Sequence, residues 1–145
     1  NDFFVRLYFV DAPETNLRYA ERTREQAGYF GVTLDETLKA GAQARDAVRD
    51  LLREPFVVQS RWAHAGGRSK TPRYYCFVEV GGKNLAEVLF ARGLARTKGV
   101  TATLPDGGKS KAFAEKLQAL EAEARQKRLG AWATAPGKKP EALTQ

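Results

Sequence analysis

The chain has one cysteine, one histidine and no methionine among its 145 residues. A lone cysteine excludes an internal disulfide bond, and the absence of a cysteine and histidine cluster argues against a zinc site. The same scarcity argues against a nucleophile of the Ser/His/Asp or Cys/His type. No apolar run approaches the ~20 residues of a membrane-spanning helix. The chemistry that the chain does offer is that of carboxylates and arginines.

Acidic residues are missing from the whole stretch between Pro55 and Val78. Four basic residues lie there: Arg61, Arg68, Lys70 and Arg73. The formal net charge of the chain is +7, which favours a polyanionic partner such as nucleic acid. This stretch is either a solvated basic face or a surface that binds the backbone of a substrate. Arg61, Arg68 and Lys70 are therefore candidate substrate-binding residues.

The most informative segment runs from Val5 to Thr15, where a hydrophobic strand leads into a proline turn. It carries Arg6, Asp11 and Glu14, which can serve a phosphodiesterase as phosphate clamp, ligand of a hard metal ion and general base. Arg6 and Asp11 have opposite parity, so a straight strand would place them on opposite faces. They converge only if the strand bends or ends before Asp11. The alternative is a surface arginine and a turn that merely ends a strand.

Hydrophobic periodicity and turn signals predict an α+β order of elements. A capping box at Thr33 and Glu36 predicts the start of a helix that continues to about Arg53. The polar segment 17–31 is either a short helix or an ordered loop. The other predicted elements are three clear strands over 3–10, 56–62 and 73–80, a candidate brief strand over 94–97, and helices over 85–91 and 110–128.

The sequence RLYFVDAPET, from Arg6 to Thr15, resembles the active-site strand of the staphylococcal nuclease (thermonuclease) family. Later segments follow in the order of that family. Residues 70–78 resemble the strand that carries its second arginine, here Arg73. Residues 84–95 resemble its middle helix and the following turn, and residues 121–132 resemble its closing helix and tryptophan. The similarity covers roughly Val5 to Trp132.

The resemblance implies an OB-type five-stranded β-barrel with three main helices. The domain would span residues 1–132, followed by a disordered tail over 133–145. Only three clear strands are predicted here, whereas the family has two more strands before the first one, with a metal-binding aspartate between them. We therefore expect these strands and the aspartate upstream of Asn1; the alternative is a truncated, inactive form. The apolar residues on both faces of the strand over 3–10, and its unpaired edge, require such cover.

The resemblance further implies calcium-dependent hydrolysis of DNA, RNA or both. Asp11 and the backbone carbonyl of Ala12 would bind Ca²⁺, Glu14 would be the general base, and Arg6 and Arg73 would stabilise the transition state. A secreted or cell-envelope location and a monomer are expected. The alternative is a non-catalytic module on the same fold that binds nucleic acid or protein. The retained base beside a metal ligand favours the enzyme, because a binding module does not need one.

Two departures from the family concern nucleotide binding. Thr71 stands where the best-known member has a tyrosine, and residues 96–101 lack the tyrosines that stack on a nucleotide there. Stacking is worth ~1–3 kcal/mol per base, so its loss should weaken or relocate nucleotide binding. Trp62 or Tyr19 could substitute, although such residues are more often part of a core.

Overall fold

A computed structural model of the chain describes residues 4–64 and 73–134, which form an α+β arrangement of six strands and four α-helices. This confirms the predicted fold class. The strands are β1 (Phe4–Leu7), β2 (Val10–Asp11), β3 (Phe56–His64), β4 (Arg73–Val80), β5 (Lys83–Asn84) and β6 (Arg96–Thr97). The helices are α1 (Ala20–Phe30), α2 (Leu34–Leu51), α3 (Leu85–Ala91) and α4 (Ser110–Gln126), and a 3₁₀ turn follows at Gly130–Trp132.

The main sheet is built around β4, which runs parallel to β1 and antiparallel to β3 and β5. A second, two-stranded sheet pairs β2 with β6. Within the described ranges, β1 and β3 pair on one side only, so the expected five-stranded barrel is not closed. Phe4, Val5 and Val57 are exposed on these open strands. Four helices stand where three main ones were expected, because the ambiguous segment 17–31 forms α1.

The predicted strand over 3–10 is broken at Tyr8 and Phe9. Phe9 has a φ of 72°, a left-handed conformation that a non-glycine residue adopts only when the surroundings hold it there. Its N–H donates to the carbonyl of Val100 (2.8 Å), and its buried ring packs edge-on against Phe113 with ring centroids 5.0 Å apart. The chain then resumes as β2 in the other sheet. The first strand therefore ends before Asp11, and Asp11 lies in a different sheet from Arg6.

The predicted helix signals are confirmed, with ends that differ by a few residues. Thr33 and Glu36 form the capping box of α2, which ends at Leu51 rather than near Arg53. The bounds of β4 and α3 are those predicted. None of the described helices has the length and apolarity that crossing a membrane requires.

The main core lies between β4, α3 and α4. It contains Leu85, Leu89 and Phe90 of α3 and Phe113 and Leu117 of α4. The cysteine, Cys76, is fully buried in this core, and burial raises the pKa of its thiol to about 11. It is therefore a packing residue.

Candidate active site

Asp11 lies opposite Arg96 in the register of β2 and β6. Arg96 Nε donates a hydrogen bond of 2.6 Å to Asp11 Oδ2, and the two residues are only 2% and 4% exposed. A second nitrogen of Arg96 donates to Glu25 (3.2 Å), and its guanidinium carbon lies 5.3 Å from the ring centre of Tyr29. Arg96 is thus fixed from several sides, as a buried charge must be.

Helix α1 supplies the next contacts to the segment 11–14. Gln26 of α1 is fully buried, and its amide nitrogen donates to Asp11 Oδ2 (3.2 Å) and to the carbonyl of Ala12 (3.0 Å). Its amide oxygen accepts a hydrogen bond from the N–H of Glu14 (2.9 Å). One side chain therefore satisfies three groups of the segment and fixes its path.

Arg22 lies four residues before Gln26, so both side chains project from the same face of α1. Its Nε donates to Glu14 Oε2 (3.0 Å), and a terminal nitrogen donates to Asp11 Oδ1. Burial acts to lower the pKa of Arg22, but the charges of Asp11 and Glu14 and their hydrogen bonds outweigh it and raise this pKa. Arg22 remains a cation that joins the two carboxylates. We call Asp11, Glu14, Arg22, Gln26 and Arg96 the Asp11 cluster.

A close backbone contact holds Glu14 against α2. A Cβ atom added to Gly41 would lie 2.1 Å from the carbonyl oxygen of Glu14 and 2.8 Å from that of Pro13. No L side chain fits there without a backbone shift. Gly41 thus allows the turn that carries Glu14 to lie directly on the helix.

The two predicted catalytic arginines lie in the main sheet. Arg73 pairs with Phe4 and Arg6 pairs with Tyr75 in the parallel register of β1 and β4. Directly paired residues share a face and side chains alternate along a strand, so Arg6 and Arg73 project from the same face. Ordinary sheet spacing puts their Cα atoms roughly 8 Å apart. Both residues are half-buried, and neither guanidinium group makes a hydrogen bond or ion pair with another described residue. We call this pair the arginine face.

The structure therefore brings the predicted residues together in two groups. Asp11, Ala12 and Glu14 meet in or beside the Asp11 cluster, and Arg6 and Arg73 meet on the arginine face. Of the predicted substrate-binding residues, Arg61 lies in β3, whereas Arg68 and Lys70 fall outside the described residues. Tyr19, weighed above as a core residue, is exposed just before α1.

Calcium does not fit the Asp11 cluster as it is arranged. Ca²⁺ takes 6–8 oxygen ligands, but both oxygens of Asp11 and the carbonyl of Ala12 already accept hydrogen bonds from Arg22, Gln26 or Arg96. In the described parts of the chain, no group of three Asp, Glu, His or Cys residues could hold a metal ion. The guanidinium groups of Arg22 and Arg96 occupy the space beside Asp11 in which a divalent cation would need further oxygen ligands.

Arg22, Gln26 and Arg96 did not emerge from the sequence as site residues. The spacing of four between Arg22 and Gln26 is a signal, but it has meaning only once the segment is known to be helical. Arg96 gives no local signal, because its partners Asp11 and Glu25 are 85 and 71 residues away in the chain.

A family model described as "Staphylococcal nuclease homologue" matches residues 4–134. No curated protein matches the chain. The matched range includes both the arginine face and the Asp11 cluster, and it covers well over half of the sequence. The chain therefore belongs to the staphylococcal nuclease homologue family.

Proposed function

We propose that the chain hydrolyses phosphodiester bonds in DNA, RNA or both, with Arg6 and Arg73 binding the scissile phosphate and Glu14 acting as general base. Family membership supports a nuclease-like fold of the OB type. The observation that carries the proposal is the parallel register of β1 and β4, which places both arginines on one face. A single phosphate group could then receive donors from both.

The arginines would act on the charge that develops in the transition state. As a nucleophile attacks phosphorus, negative charge grows on the equatorial oxygens. A guanidinium group offers paired N–H donors in a fixed fork, which suits that charge better than an ammonium group. No described carboxylate neutralises Arg6 or Arg73, so their donors are free for a substrate. Removing one such donor from a preorganised site costs ~10²–10³ in rate.

The contacts of Glu14 support its proposed role as general base. Its Oε2 accepts the hydrogen bond from Arg22, and its N–H is fixed by Gln26. Its Oε1 accepts no hydrogen bond from another described residue, and a quarter of its side chain is exposed. This oxygen can therefore accept a proton from an attacking water molecule.

Calcium dependence is an expectation carried by family membership. Because Ca²⁺ does not fit the Asp11 cluster as arranged, none of the proposed steps involves it. The family's five-stranded barrel also belongs to the proposal. The open edges of β1 and β3 are where further strands would pair.

The second candidate function is a module that binds nucleic acid without cleaving it. The observation that favours it is the state of Asp11, whose two oxygens are both paired with groups of the chain itself. A binding module would still use the arginine face, because phosphate contacts supply affinity without chemistry.

The test is degradation of plasmid DNA and of single-stranded RNA by the full chain, with calcium and with EDTA. Arg6→Lys and Arg73→Lys should each lower kcat by ~10²–10³, because lysine lacks the paired donors. Arg24→Lys is the matched control, since Arg24 is exposed and pairs only with Glu21 among the described residues. Circular dichroism should show the same melting for all variants. Salt-dependent binding without any cleavage by the wild type would instead establish the binding module.

A further inference from the structure

Arg22 lies where a cation would lie between two carboxylates. It is bonded at once to Asp11 and to Glu14, so a single positive group bridges both. The surrounding charges balance: Asp11, Glu14 and Glu25 are faced by Arg22, Arg96 and Lys98. A divalent cation added to this balanced set would be repelled by two guanidinium groups.

Arg22 and Arg96 differ in how firmly they are held. Arg96 is 2% exposed and is fixed by Asp11, Glu25 and the ring of Tyr29. The side chain of Arg22 is 40% exposed and is held by the two carboxylates alone among its described partners. Only Arg22 can therefore move into solvent without unpacking the interior.

We propose that Arg22 is a built-in competitor of divalent cations, and that it keeps the affinity of Asp11 and Glu14 for calcium low. Because it takes these two residues as the carboxylates of the active site, this role rests on the proposed function. A cation would bind only the minor state in which Arg22 has swung into solvent. If that state is populated at about 1–10%, the apparent calcium affinity is lowered ~10–100-fold.

The test is a calorimetric titration of calcium into the full chain and its Arg22→Gln variant. Glutamine keeps a polar side chain but removes the charge and the fork, so the calcium affinity should rise ~10–100-fold. Arg24→Gln is the matched control, because it removes one positive charge from the same helix. Arg24 pairs with Glu21 at the surface and not with the Asp11 cluster. Screening at 0.15 M salt should leave the calcium affinity of this variant near that of the wild type. Equal affinities of Arg22→Gln and Arg24→Gln would overturn the proposal.

A double variant tests whether the added calcium affinity arises at Glu14. Adding Glu14→Gln to Arg22→Gln should remove most of the increase, and an undiminished affinity would show that calcium binds elsewhere, against the proposal. If Arg22→Gln does not fold, Arg22→Met takes its place, because methionine keeps an unbranched side chain and also lacks the positive charge. An unchanged affinity of folded Arg22→Met would then count against the competitor role.

These binding measurements do not depend on cleavage. If the affinities shift as expected but no variant hydrolyses nucleic acid, the proposed hydrolysis fails while Arg22 remains a competitor. If the wild type cleaves nucleic acid and Arg22→Gln gains no calcium affinity, the competitor role fails and the proposed function stands.

Discussion

The Asp11 cluster and the arginine face both contain arginines, but these are ion-paired in the cluster and have no ion pair with a described residue on the arginine face. Each Asp11 oxygen in the cluster has a cationic partner, and the Glu14 carboxylate has one as well. Arg6 and Arg73 on the arginine face have no ion pair with another described residue. Burial explains the difference, because a charge removed from water needs a partner, whereas a half-buried one can remain hydrated. The proposed binding of phosphate would give the arginine face its counter-ion, whereas the cluster already has counter-ions within the chain.

The two regions also differ in how they are assembled. The arginine face needs only the register of two neighbouring strands. The Asp11 cluster needs β2, β6 and α1 to come together, and most of its hydrogen bonds join residues at least 11 apart in the chain. The cluster should therefore contribute to stability as well as to the proposed hydrolysis, and substitutions can separate the two contributions.

The largest effect is expected from Arg96→Ala. The substitution leaves buried Asp11 without its one buried cationic partner among the described residues and opens a cavity, so the free energy of unfolding should fall by about 3–5 kcal/mol. Lys98→Ala is the control, because Lys98 pairs with the same Glu25 at the surface and should cost ~1 kcal/mol or less. Urea denaturation measures both. If the two variants lost equal stability, the buried Asp11–Arg96 pair would contribute no more to stability than an ordinary surface ion pair.

A smaller effect is expected from Gly41→Ala, which tests whether the close backbone contact with α2 positions Glu14. The added methyl group would overlap the Glu14 carbonyl, so the backbone must shift at a cost of ~1–3 kcal/mol. Cleavage should fall because the base moves with its backbone.

The matched control for this glycine is Gly28→Ala, in the interior of α1. A Cβ atom there meets nothing within 4 Å, so the change should stabilise the helix by up to ~1 kcal/mol. Equal cleavage by the two alanine variants would mean that the contact at Gly41 does not position Glu14.

Local signals account for what the sequence could predict. The capping box at Thr33, the bounds of β4 and those of α3 follow from residues within one turn or one strand. The break at Phe9 could not be predicted, because Phe113 and Val100 stabilise its left-handed conformation from far along the chain. The cluster stayed hidden for the same reason. Asp11 was identified by its motif, but the donors that surround it come from two distant elements.

The smallest expected effect concerns pH and lies at the outer end of the cluster, where Arg96 contacts Tyr29 and Tyr29 donates its hydroxyl to Glu121 Oε2. Glu121 Oε1 is buried without a hydrogen-bond partner among the described residues. Burial is the main cause that raises the pKa of Glu121, and burial together with Glu121 raises the pKa of Tyr29 to about 12. Ionised Glu121 therefore opposes folding.

The pKa of Glu121 is higher in the folded chain than in the unfolded one, so protonation of this carboxyl group favours the folded chain. This contribution to stability is fully present below the unfolded pKa and is lost as the pH rises through the folded pKa. Glu121→Gln stays neutral throughout, so the stability of this variant relative to the wild type should be greater at pH 7 than at pH 4. Urea denaturation at the two pH values measures this change. Glu115→Gln removes the same charge from an exposed position of α4 and should not reproduce it. If the free energy of unfolding of Glu121→Gln relative to the wild type were the same at both pH values, ionised Glu121 would not destabilise the folded chain.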